Sequence, residues 1–188
     1  MNTPAHLLLG AALFGNKGDR TVLLAACVGA LLPDLSLYLM AGWALHVQQI
    51  PTQVVFDELY FSTAWQNVFA IDNSIPLWLA GLVLALLSRN RAATAFASAG
   101  LLHLGLDLIL HAGDGRPHFW PVTTWVFHSP VSYWDSQHGA GWVVPIAAAA
   151  CVLAALRLWP VTGWMGRAGV MCLLTAELWV ARQWLLFF

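Results

Sequence analysis

Long apolar runs separated by short polar breaks dominate this chain, and their lengths predict helices. An apolar stretch at 4–14 follows Thr3-Pro4, a cap residue and a proline at the first helical turn. At about 11 residues it is too short to cross a bilayer, which takes about 20. The polar turn Asn16-Lys17-Gly18-Asp19-Arg20 precedes a longer apolar segment at 21–45 that contains Pro33-Asp34. An amphipathic stretch at 46–74 carries Asp57, Glu58 and Asp72. A third helix is expected from Ile75-Pro76 to Ser88-Arg89-Asn90-Arg91, and a fourth over 92–112. A polar, aromatic segment fills 113–140, and two last helices are expected at 141–158 and 163–187. The pattern predicts an all-α, polytopic membrane bundle: about five spanning helices plus a short N-terminal helix, in one integral membrane domain over 1–188.

Composition strengthens this picture. The chain is 60% hydrophobic and 9% charged, against about 25% charged in soluble domains. The net charge of −1 and the lack of a basic patch exclude a nucleic-acid partner. The expected partner is the lipid bilayer. Cys27, Cys151 and Cys172 are scattered through apolar runs, which argues against a disulfide framework or a zinc–thiolate site and for buried packing. Met1–His6 contains no basic stretch, so the first helix reads as retained rather than as a cleaved leader.

Charge also gives direction. Lys17, Arg20, Arg89, Arg91, Arg157 and Arg167 fall at one set of helix ends, and only Arg116 and Arg182 at the other. The positive-inside rule places the first set in the cytoplasm. Stretches 46–74 and 113–140 then face outward, to the periplasm if the membrane is a bacterial inner membrane. Trp43, Trp65, Trp78, Trp120, Trp125, Trp134, Trp142 and Trp184 fall near the outer interface, and Trp159 and Trp164 near the inner, as aromatic belts do.

The candidate chemistry is concentrated in the outer half. His103-Leu-Gly-Leu-Asp107-Leu-Ile-Leu-His111 puts two imidazoles and a carboxylate on one helical stripe. Ionisable groups in hydrocarbon cost roughly 2.5–3.5 kcal/mol each, so a compensating divalent metal is the favoured reading, with a hydrogen-bonded polar cluster as its alternative. A rise of 1.5 Å per residue places Asp34 roughly 21 Å from its cytoplasmic helix end, His103 roughly 18 Å, Asp107 roughly 24 Å, His6 roughly 15 Å and Asp72 roughly 24 Å. Five groups distant in sequence thus share one layer. Asp34 is a candidate ligand or a cap at the Pro33 kink. His118 could complete a metal sphere, and Arg116 could hold an anion, or both could belong to an interfacial turn. Asp72 is a ligand or base, with Asn73 or Ser74 capping the next helix. Glu177 could pair with Arg182 or Arg116. No nucleotide loop, dinucleotide fingerprint, nucleophile elbow or His-Glu-x-x-His motif occurs.

Three of these features together resemble a known family: His6 before an apolar run, Leu31-Leu32-Pro33-Asp34, and His103-x-x-x-Asp107 before an aromatic–proline turn. They look like the YdjM-like inner-membrane metal-dependent hydrolases, over about residues 1–121. The hydrolase label of that family implies a relationship to soluble, all-helical zinc-dependent phospholipases C. The resemblance implies His6, Asp34, His103 and Asp107 as ligands, with His111 and His118 as looser matches. The family commonly has a His-Arg-Gly-x-Thr-His-Ser segment between its second and third helices. Here Asn67-Val-Phe-Ala-Ile-Asp72-Asn73-Ser74 stands instead, with Asp72 as the substitute for one histidine.

The function expected is a membrane-embedded metal-dependent hydrolase. Its cofactor would be one or more divalent ions, zinc first and manganese or iron as alternatives. Asp72 or Asp34 would orient or deprotonate water and Arg116 would neutralise the substrate anion. The resemblance, not the spacing, implies a phosphoester of a lipid or lipid-linked compound as substrate. The competing reading is a non-catalytic metal-binding membrane protein or a transporter of metal or small solutes.

Overall fold

The computed structural model describes residues 1–16 and 18–187. Lys17, one of the basic helix-end residues, and the side chain of Trp184 lie outside the described residues. Helix α1 is Thr3–Phe14, with Asn2 as its N-cap and Pro4 in its first turn. Thr3 is therefore not the cap; its hydroxyl donates to Asp34 instead. Helix α2 is Arg20–His46, capped by Asp19, whose carboxylate accepts the amides of Thr21 and Val22. A helical turn at Thr52–Val54 runs into a π-type turn at Val55–Leu59. Helices α3 (Thr63–Asp72), α4 (Ile75–Leu87) and α5 (Arg91–Leu110) start at Ser62, Ser74 and Asn90, each with a side-chain cap. Helix α6 is Ala140–Leu158 and α7 is Trp164–Phe187.

Four stretches are long and apolar enough to cross a membrane: α2, Thr63–Leu87 (α3 with α4), α5, and Ala140–Val161 (α6 with its extension). About five were expected, and these four are found among the described residues. Helix α7 has the length, carries Arg167, Glu177 and Arg182, has side chains at 184, 185 and 187 outside the described residues, and is not among the four. The amphipathic stretch predicted to lie wholly outside also changes, because its second half, α3, continues into the span of α4.

Helix α1 is short but walled in, packing on α2, α5, α6 and α7. Ala5, Leu8, Ala11 and Ala12 are buried there with Cys151 and Ala155 of α6. The most extensive helix pair is α2 with α5. Lipid tails are as apolar as leucine, so membrane helices associate through close packing and favour small residues where they cross. Gly29 illustrates this: a Cβ there would lie 2.0 Å from the Phe96 carbonyl oxygen. Gly100 likewise leaves room for the Trp78 ring, 2.1 Å from where its Cβ would be. These contacts bring α1, α2 and α5 close enough for their polar side chains to meet.

Candidate metal centre

Each helix delivers its polar group for a local reason. His103 and Asp107 are four residues apart on α5 and so face the same way. His111 is the C-cap immediately beyond. His6 comes from the second turn of α1, and Asp34 from α2 just after Pro33. Proline has no amide to bond the Gly29 carbonyl, which loosens this turn of α2. Two further carbonyls of the turn accept side-chain donors: Ala30 from His103 Nδ1 at 2.7 Å, and Pro33 from Asn73 Nδ2 at 3.1 Å and Arg116 at 3.2 Å.

Asp107 is the hub. Its Oδ1 lies 2.9 Å from His6 Nε2 and 3.3 Å from His111 Nε2, and its Oδ2 lies 3.1 Å from His103 Nε2. The rings of His6 and His103 stack, 3.6 Å apart and 9° from parallel. Asp34 Oδ1 stands 3.6 Å from His103 Nε2. The Met1 α-amine donates to Asp107 Oδ1 at 2.7 Å. His6, His103 and Asp107 are all buried, and each offers a donor atom within 4.8 Å of the others. They form a group that could hold a metal ion.

The proton positions leave a place for a cation. A carbonyl accepts only from a protonated ring nitrogen, so His103 carries a hydrogen on Nδ1. Its Nε2 faces two carboxylate oxygens, those of Asp107 and Asp34, and meets them with a second proton or, if bare, with a lone pair. Three acceptors facing one another repel unless a proton or a metal lies among them. His111 is oriented similarly, with Nδ1 2.9 Å from Asp114 Oδ2, and its Nε2 lies 3.3 Å from Asp107 Oδ1 and 3.2 Å from the Met1 α-amine. Metal-binding histidines are oriented in this way, by a carbonyl or carboxylate on the remote nitrogen. The Met1 ammonium supplies positive charge on the Oδ1 side. On the Oδ2 side the nearest described cation is Arg116, 3.8 Å from Asp34. His6 Nδ1 is buried without a partner, so the ring has a nitrogen to spare. Two imidazoles and a carboxylate suit zinc, and also manganese or iron.

The structure thus brings together His6, His103, Asp107, Asp34 and His111. It takes two expected residues elsewhere. His118 donates from Nδ1 to the Asn73 carbonyl, 3.1 Å away, and burial lowers its pKa from the usual 6.5. Asp72 accepts Asn73 Nδ2 at 2.8 Å at the end of α3. Arg116 reaches the edge of the cluster. Its guanidinium is held by Asn73 Oδ1 at 2.9 Å and the Pro33 carbonyl, over the Phe69 ring. Burial opposes its charge, but the Tyr60 hydroxyl and the Asp34 and Asp107 carboxylates outweigh burial and raise its pKa. Glu177 pairs with neither arginine; its Oε1 accepts Asn2 Nδ2 at 3.3 Å.

Sequence reasoning missed three partners. Thr3 bonds both Asp34 and Tyr38, and Asn73 connects Asp72, Pro33 and Arg116. Asp114 holds His111 and also accepts the Trp134 indole N–H. Only Asp114 left a sequence signal, a carboxylate three residues beyond a candidate ligand with Gly113, at φ 87°, making the turn. No family model, curated protein or solved structure matches this chain.

Proposed function

We propose that this protein is a membrane-embedded, metal-dependent hydrolase acting on a phosphoester of a lipid or lipid-linked compound. The observation that supports it best is His103, pinned through Nδ1 to the Ala30 carbonyl with Nε2 turned to two carboxylates. His6, His103 and Asp107 would hold the ion, with Asp34 and His111 at its margin. A divalent ion there supplies Lewis acidity toward a phosphoryl oxygen and acidifies water. Asp34 is the best-placed base. Its Oδ2 is fixed by the Thr3 hydroxyl, and its Oδ1 faces His103 and remains able to take a proton. Arg116 lies 3.8 Å from that oxygen and is itself held there by Asn73 and the Pro33 carbonyl. The resemblance to the YdjM-like hydrolases adds the substrate class, by analogy alone.

Burial favours a second reading. His6 and His103 are each 1% exposed, and a closed sphere is the mark of a structural metal. One experiment separates the two. Wild type, chelator-treated wild type and Asp34→Asn are reconstituted in liposomes and offered phosphatidic acid and phosphatidylglycerol phosphate. The hydrolase reading predicts phosphate release that chelation abolishes and Asp34→Asn reduces by about 10²-fold or more, with metal still bound. Bound metal without turnover of either lipid supports the structural reading.

A further inference from the structure

At the other end of α5 from the histidines, residues of α1, α2, α4 and α5 line an open hollow of about 460 Å³. Arg91 is 16 residues from Asp107, roughly 24 Å along the helix, so a ligand here does not touch the candidate metal centre. Phe14, Val22 and Leu86 form apolar wall. Exposed Arg89 and Arg91 also line the cavity, as do Thr94 and Ser98. Positions 91, 94 and 98 recur on one face of α5. That face therefore grades from guanidinium to hydroxyl beside a hydrocarbon wall.

Neither Arg89 nor Arg91 has an ion-pair partner among the described residues. Arg167, in contrast, donates to the Trp159 carbonyl and lies over its ring. Arg89 also sits at φ 53°, in the left-handed region that suits glycine. That conformation belongs to the end of α4 itself, where the Asn90 amide returns to the Ala85 carbonyl.

We propose that this cavity binds an anionic glycerophospholipid, its phosphate between Arg89 and Arg91 and an acyl chain against Phe14, Val22 and Leu86. Charge complementarity and the apolar wall together select this occupant. A free anion would leave the wall without a partner, and a neutral lipid would leave two cations without one. Basic pockets between membrane helices at the cytoplasmic interface bind anionic head groups in this way. The site is independent of whatever chemistry the histidine cluster performs.

The test uses the full chain in phosphatidylcholine nanodiscs containing a graded fraction of phosphatidylglycerol. Native mass spectrometry counts the lipid retained. Arg89→Gly/Arg91→Gln is expected to weaken retention of phosphatidylglycerol by about tenfold or more. Arg157→Gln/Arg167→Gln, which removes the same charge from the same end, is expected to leave it unchanged. Arg89→Gly alone should weaken retention while raising the unfolding temperature, because glycine relieves the left-handed backbone. Loss of binding then cannot come from unfolding. Equal losses in the two double variants would overturn the proposal in favour of general attraction to a basic surface. Displacement of the lipid by inorganic phosphate would overturn it in favour of a soluble anion.

Discussion

Single hydrogens and lone pairs decide what this site can hold. His103 and His111 each fix one nitrogen on an acceptor and turn the other toward Asp107. His118 shows how the same residue type behaves away from the cluster, neutral and buried against the Asn73 carbonyl. Its folded pKa is lowered from 6.5 by burial. The unfolded chain therefore binds the proton more readily, and the contribution of a neutral His118 is present above about pH 6.5 and lost as pH falls from there through the lowered folded value. The unfolding temperature of wild type should drop on acidification below about pH 6.5. It should drop less steeply in His118→Gln, whose amide can still donate to Asn73. Identical slopes in the two proteins would contradict this assignment. His103, Asp107 and His111 were legible because they share one helix and one spacing. His118 misled because proximity in sequence to His111 does not fix direction after the turn at Gly113. Asn73 and Thr3 were illegible as partners because nothing local marks a polar residue that bonds across 31 or 40 positions.

Among the elements, the close approach of α2 and α5 is what makes a cluster out of a layer. Gly29 lies one residue before Ala30, whose carbonyl holds His103. A side chain at 29 would meet backbone at Phe96, which cannot rotate away. Gly29→Val should therefore cost at least the roughly 1–3 kcal/mol typical of overpacking. It should lower the thermal unfolding temperature in detergent and reduce bound metal together. Gly42→Val, with nothing within 4 Å of its Cβ, is the control and should change neither. An unaffected Gly29→Val would mean that the two helices do not need this contact. Helix existence was readable from apolar run length, but the break at Asn73-Ser74 was not readable as the joint of one span. The partners of that joint arrive from far along the chain: His118 accepts the Ile75 amide, and Trp120 accepts the Ser74 hydroxyl. Helix α7 was read as a span by length, and it is not among the four stretches found within the described residues.

Across the whole molecule, polarity is divided between two ends. The His/Asp cluster lies in the second half of α5, beside the loop that supplies Asp114 and Arg116. Arg89 and Arg91, without an ion-pair partner among the described residues, lie just before and at its start. Together with four candidate spans, this separation suits a site working near one membrane face more than a path across both. Everything proposed for that face depends on a cation among His6, His103 and Asp107. The direct measurement is elemental analysis of wild type and Asp107→Asn, purified without added metal, with circular dichroism verifying that both are folded. A stoichiometric divalent ion in wild type and its loss in folded Asp107→Asn is the predicted result. Folded wild type without metal, or the same metal content in both proteins, would contradict the account.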